Sequence, residues 1–331
     1  MSISLKELAF RAGLSQSTVS QILNRRPNDF SSESTRRRVF ALAKKLGYRQ
    51  SFGHKVLRGD KTHTVAILLG MHRLSLEEHI QELLLLLLDK FESCGYASYL
   101  VTLSSVADDN LARVRDLLSR GVDYFILIGS PYGESEVEAE VLRCEKRIVG
   151  YNTNLGHNLT HNIAEASRRV LSFFLEQGCS NFKILLSSAN SERMQGLFQL
   201  FPDRSPEELI EKHFVQLGDF GDIDDIDFFA QVGYEKTKQI MLADRKTQAL
   251  FYLSDYFALG GVKYLHENGY KIGRDILLAG YNNIHAVRNH ILPISSVRHN
   301  TEEMARIIVE GASKSNSQTT PVQAKVVLRK L

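Results

Sequence analysis

Cysteine is scarce in this chain. Cys94, Cys144 and Cys179 lie far apart, are odd in number and form no CxxC pair, so idle or buried thiols in a reducing compartment are expected rather than a disulfide framework. Long apolar runs are missing as well. The longest, Leu83–Leu88, falls far short of the roughly 20 residues that cross a bilayer and reads as one buried face of a helix. The N-terminus lacks the basic-then-apolar pattern of a secretory signal. A soluble, cytoplasmic chain with no membrane partner is therefore expected, and a secreted transport receptor is disfavoured. Signatures of catalysis are absent too: no G-x-G-x-x-G after a strand, no G-x-x-x-x-G-K-[ST], no H-E-x-x-H, no G-x-S-x-G. No enzyme, cofactor or metal is expected. Asp219, Asp222, Asp224, Asp225 and Asp227 are clustered but lack the glycine and closing glutamate of a calcium loop, which leaves a solvated loop before a helix.

What is present is unevenly distributed. Residues 1–63 carry thirteen Lys and Arg against four Asp and Glu, whereas the remainder is net acidic within a total of +3. A basic head on an acidic body is the footprint of a polyanion-binding module joined to a body with another task. The length, 331 residues, suits about two domains of ordinary globular size.

In the head, Leu5, Leu8, Ala9 and Ala12 share one helical face, and Gly13 ends that helix. Ser15 can cap a second helix, whose inward stripe is Val19, Ile22 and Leu23 and whose other face is Gln16, Ser17, Ser20, Gln21 and Asn24. Two short helices joined by a glycine turn are a helix-turn-helix layout. The second such helix reads base edges in the major groove: Gln suits adenine and Ser suits several bases. A third helix is predicted over Thr35–Leu46, closed by Gly47 and carrying Arg36, Arg37, Arg38, Lys44 and Lys45. These cations are either a solvated face or attractors of phosphate, which sets affinity and salt dependence rather than sequence choice.

From Thr64 onward, short apolar runs alternate with amphipathic stretches. Strands are predicted at 65–69, 97–103, 124–128, 147–151, 182–186, 249–253 and 276–279. Helices are predicted between them, several ending at Gly95, Gly121, Gly178 and Gly269. This βαβα order implies parallel sheets covered on both faces. Two Rossmann-like lobes of five or six strands each fit the length, with a ligand cleft at the carboxyl ends of the strands.

The stretch from Ile3 to Asn24, continued by Thr35-Arg36 and Leu46-Gly47-Tyr48, resembles the head of the LacI/GalR (lactose/galactose repressor) family of transcriptional regulators. The resemblance implies that Gln16, Ser17 and Gln21 contact bases, where the family usually has Arg at the position of Gln21. It implies that Leu5, Ser15, Thr18, Ser20, Asn24, Ser32, Thr35 and Tyr48 support or bond the DNA backbone. Residues 49–63 resemble the family's hinge, with Leu57 at the position of the leucine wedged into the minor groove. Gln50 and the run Phe52-Gly53-His54 depart from the family pattern.

The body resembles the family's as well, on Glu192-Arg193-Met194-Gln195-Gly196, Ser254-Asp255-Tyr256, Gly280-Tyr281-Asn282-Asn283 and Leu292-Pro293-Ile294. The fold implied is α/β: two lobes of the periplasmic-binding-protein type I kind behind an all-α helix-turn-helix head at 1–48. One lobe is expected over about 64–159 plus 295–319, the other over about 160–292 plus 321–331, with crossings near 160, 292 and 320. Ligand contacts are implied for Asn152, Arg193, Phe228, Ser254, Asp255 and Asn282. Phe228 reads equally as core, and Asp255 has helix capping as its rival role. Asn152 and Asn282 stand where the family commonly has Asp, which favours tolerance of an anionic ligand beside Arg193. The function implied is a homodimeric repressor of a pseudo-palindromic operator in double-stranded DNA. Its binding would be controlled by a small molecule of carbohydrate type. The alternative is an architectural DNA binder whose body has lost its ligand.

Overall fold

The structure, a computed structural model, describes residues 3–24, 29–48, 53, 56, 60–70, 77–218, 225–313 and 321–329. The chain divides into two units, Met1–Thr62 and His63–Leu331.

The first unit holds three helices, α1 (Leu5–Ala12), α2 (Gln16–Leu23) and α3 (Glu33–Lys45). Each begins at a serine cap whose hydroxyl accepts a backbone N–H of the first turn: Ser4 from Glu7, Ser15 from Thr18 and Ser32 from Thr35. Capping by Ser32 starts α3 two residues ahead of the predicted Thr35. Gly13 ends α1 in the left-handed region at φ 63°, where a side chain would be strained. Leu8, Ala9, Ala12, Val19, Ile22, Val39 and Ala43 form the head's core.

The second unit contains two sheets. The first runs β2-β1-β3-β4-β5 and is parallel throughout: β1 (Thr64–Leu69), β2 (Ala97–Thr102), β3 (Tyr124–Ile128), β4 (Arg147–Tyr151) and β5 (Asn158–Leu159). Between them run α4 (Glu78–Ser93), α5 (Ala107–Ser119) and α6 (Glu134–Arg143). Leu83, Leu87 and Phe91 of α4 fill one face against Ile67 and Ile126; Val114, Leu117, Val137 and Val141 fill the other. Burying each such side chain contributes roughly 1.5–3 kcal/mol. Of the Leu83–Leu88 run, Leu83, Leu84 and Leu87 are buried, Leu86 and Leu88 half-buried and Leu85 exposed.

The second sheet runs β11-β10-β9-β8-β6-β7: β6 (Phe182–Leu186), β7 (Phe214–Gln216), β8 (Ala249–Tyr252), β9 (Leu277–Tyr281), β10 (Ile294–Arg298) and an antiparallel edge strand, β11 (Lys325–Val327). Helices α7 (Ile163–Glu176), α8 (Glu192–Leu200) and α9 (Pro206–His213) precede β7. Helices α10 (Ile226–Ala243), α11 (Asp255–Glu267) and the short α12 (His285–Arg288) follow it. Gly260 lets α11 lie directly on α10, since a Cβ there would overlap the Ala230 carbonyl.

One expectation is corrected. The second crossing does not fall near 292, and residues 295–298 do not belong to the first lobe, because Ile294–Val297 pair in register with β9. The chain returns to the first lobe only after Arg298, where α13 (Thr301–Ser313) packs Met304, Ala305 and Ile308 into the first core. Val322 still belongs to that core and Ala324 to the second. The short strands β5, β7, β10 and β11 were not predicted. The cysteines are free. Among the described residues, no helix is long and apolar enough to cross a membrane.

Candidate nucleic-acid interface and interlobe site

On α2, burial of Val19 and Ile22 turns the opposite side outward, leaving Gln16 and Ser17 exposed and Gln21 partly so. The cap is a small network, with Ser15 Oγ 2.7 Å from Ser17 Oγ and 2.8 Å from Thr18 Oγ1. Asn24 turns its amide back on α2, donating to the Ser20 carbonyl at 2.7 Å. Leu5 and Tyr48 pack on the head's core. Around α3 the arginines are partly committed to the protein. Arg36 donates to the Asp29 carboxylate and carbonyl, both at 2.7 Å, Arg37 pairs with Glu33, and Arg38 donates to the Ala12 carbonyl at 3.1 Å. Hydrogen bonds from Ser31, with Arg36 beside them, hold Asp29 below the usual carboxylate range. Lys44 and Lys45 are exposed.

In the second unit, the carboxyl ends of both sheets meet at a seam. From the first lobe come Tyr151 at the end of β4, Glu77 immediately before α4, and His79 on its first turn. The second lobe contributes Tyr281 at the end of β9, Asn282 just after it, and Arg193 on α8. His161 and His299 stand on the first two crossings. Tyr151 Oη is 3.1 Å from His299 Nδ1 and 3.5 Å from His161 Nδ1, and the two ring nitrogens are 3.2 Å apart. His79 stacks flat on His299 with ring centroids 4.0 Å apart. Burial, with His161 nearby, pushes His79 down to about 3; burial pushes His161 down to about 4 and His299 well below its ordinary value. Asn282 bridges the seam, donating to Glu77 Oε2 at 3.0 Å while its Oδ1 lies 3.0 Å from His299 Nε2. Below it, Glu78 accepts from the His285 backbone N–H at 2.8 Å, and Glu82 accepts from Arg298 at 2.9 Å. The Arg193 guanidinium lies over the Tyr281 ring, 3.9 Å from its centroid, and donates to the Leu253 carbonyl.

Residues 4–51 match the profile of bacterial regulatory proteins of the lacI family, and residues 171–328 match a periplasmic binding protein-like domain, together more than half of the chain. The chain belongs to the LacI family. It is a DNA-binding transcriptional regulator with a ligand-binding type of body. Among similar proteins, the HTH-type transcriptional regulator GalR of Streptococcus thermophilus is 26% identical over 94% of this chain and 92% of its own length. The HTH-type transcriptional repressor MelR of Bacillus subtilis is 22% identical over 96% and 93%. A lac repressor dimer bound to operator and the anti-inducer ONPF superposes with a TM-score of 0.77 at 17% identity, covering 100% of this chain and 99% of that one. A CelR–cellobiose complex gives 0.63 at 19% identity, with 99% of each covered. At such identities these two speak to the fold.

The residues expected to line the cleft of this LacI-family body fare differently. Arg193 and Asn282 meet at the seam, together with Tyr281. Asn152 is exposed at the end of β4 with φ 54°. Ser254 precedes α11 without capping it through its side chain. Asp255 is corrected: it is wholly buried, and its oxygens accept from Ser296 Oγ at 2.7 Å and Ile284 N at 2.9 Å. A Cβ on Gly280 would overlap Asp255 Oδ1, which explains the glycine. Burial raises the Asp255 carboxyl to about 7 despite these bonds. Phe228 takes its core alternative, packing on Phe229 and the second lobe's core. Leu57, with Gln50, Phe52 and His54, lies outside the described residues, as do Asp219, Asp222 and Asp224; Asp225 caps α10. Sequence reasoning missed His79, His161, His299, Tyr151 and Glu77. The available signal was limited to His161, beside the crossing expected near 160.

Proposed function

We propose that this regulator acts in the cytoplasm, without a catalytic role, as a homodimer on a pseudo-palindromic operator. Gln16, Ser17 and Gln21 read bases, and Ser15, Thr18, Ser32 and Thr35 set the head on phosphates. A sugar or sugar derivative enters the seam beside Arg193 and Asn282, moves the lobes and changes operator affinity. The observation that carries the reading is the outward display of Gln16 and Ser17 on a helix held from behind by Val19 and Ile22. The operator-bound lac repressor dimer and the cellobiose-bound CelR among its structural relatives support the two halves of the proposal. Coupling between such sites is typically 1–3 kcal/mol and reciprocal, so operator binding alters effector affinity by the same factor. With Asn in place of Asp at 152 and 282, the two carboxylates the family commonly has there are absent, and the arginine favours an acidic sugar or sugar phosphate over a neutral one.

One observation favours a second reading, a body that has lost its effector. Tyr151, Tyr281, His161 and His299 fill the seam with side chains almost wholly buried, and both ends of the Asn282 amide are taken by protein groups. Thermal-shift screening of the full chain against neutral sugars, sugar acids and sugar phosphates separates the two. The effector reading expects a stabilising compound that shifts operator affinity and loses its effect in Arg193→Ala. No stabilising compound favours the second reading.

A further inference from the structure

The seam's proton inventory can be closed. Asn282 Nδ2 donates to the Glu77 carboxylate, which fixes the amide so that Oδ1 faces His299. His299 therefore carries its proton on Nε2 and offers a lone pair at Nδ1. The backbone N–H of Asn300 donates to His161 Nε2 at 3.2 Å, so His161 carries its proton on Nδ1. That N–H and the Tyr151 hydroxyl both turn to the single acceptor, His299 Nδ1. The paired rings are held neutral: a proton added at His299 Nδ1 would face the His161 N–H and oblige the Tyr151 hydroxyl to stop donating, and one added at His161 Nε2 would face the Asn300 N–H. The groups facing the pair are His79 and Glu77 from α4, Tyr151 from β4, Arg193 from α8 and Tyr281 with Asn282 from β9. Of these, Glu77 is the one group that favours a charged imidazole; Arg193 and the stacked His79 oppose it.

We propose that His161 and His299 form a proton-operated latch on the lobe seam, proton uptake by either ring opening the contact between the lobes. The latch supplies a regulation of the site assigned above and, for its effect on transcription, rests on the reading that lobe movement sets operator affinity. Both rings sit on the crossings about which the lobes would move, so repulsion between them acts at the pivot. An opened seam returns the imidazoles to water, where they bind protons near their ordinary pKa of about 6.5. Acidification below that value therefore favours the open form.

The test uses the full chain with its three cysteines replaced and spin labels at the exposed positions Glu136 of the first lobe and Gln195 of the second. The interlabel distance should lengthen as pH falls from 7.5 to 5. It should stay fixed in the His161→Gln/His299→Gln variant, whose amides supply a neutral donor and acceptor. His213→Gln is the control. His213 is buried in the second lobe and held down to about 4 by burial, so its loss should leave the lengthening intact. A constant distance in the unaltered protein, or equal lengthening in the double variant, overturns the latch. Should the double variant not fold, Tyr151→Phe decides. Removing a donor to neutral His299 moves the transition up by roughly half a pH unit or more, and an unmoved transition overturns the proposal. No effector is present in any arm. Opening without a change in operator affinity would contradict the proposed function while supporting the latch.

Discussion

Asn282 of the second lobe donates its side-chain amide to the Glu77 carboxylate of the first across 3.0 Å. The contact needs a neutral donor on one side and an acid on the other. It accounts for an asparagine where the family commonly has aspartate, since two carboxylates at this spacing would repel.

Asn282→Asp should accordingly loosen the seam. A second carboxylate facing Glu77 costs a hydrogen bond and adds repulsion, together about 1–3 kcal/mol at pH 7.5. Urea unfolding is the measurement, and a midpoint equal to that of the unaltered protein would contradict the assignment.

Asp255 and the seam histidines pull stability in opposite directions with pH. The lowered histidines stabilise fully above about 6.5, and that contribution is lost as pH falls toward their folded values, about 4 for His161. Asp255, raised to about 7, contributes most below the ordinary carboxylate range and loses its contribution as pH rises to 7. Asp255→Asn should therefore steepen the rise of stability between pH 4 and 7, by about 1–3 kcal/mol across the interval. Denaturant titrations at several pH values check this, and parallel curves for the two proteins would refute it.

Gln21→Arg should move base preference from adenine toward guanine at one position of each half-site, a good bidentate contact being worth about 1–3 kcal/mol of discrimination. Selection from random duplexes, before and after the substitution, reads this out. An unchanged consensus would remove Gln21 from the base readers.

Leu57→Ala, read from the sequence alone, should weaken specific binding more than non-specific binding, because a wedge acts only where the duplex is kinked. Equal losses on operator and scrambled DNA would make Leu57 an ordinary linker residue.

Much of the fold could be read from local pattern. The head's inward stripes, its serine caps and Gly13 are short-range signals, and the buried runs that became β3, β4 and β6 stand out between amphipathic helices. Ser295 and Ser296 interrupt the apolar run of β10 and hid that strand, and the second crossing, placed near 292 from the resemblance alone, fell too early. That strand also explains the misreading of Asp255. A carboxylate after a strand ordinarily faces the cleft, but Ser296 of β10, on the far side of β9, and the turn after β9 enclose it. The imidazole cluster was not legible, because residues 79, 161 and 299 meet only through topology.

The outward face of α2 is most directly tested by titrating the full chain against its selected duplex and a scrambled one at about physiological salt. A preference of roughly 1,000-fold or more is expected, and Gln16→Ala with Gln21→Ala should collapse it while leaving scrambled-DNA binding nearly unchanged. No preference for any duplex, or a preference untouched by those two substitutions, would contradict the account.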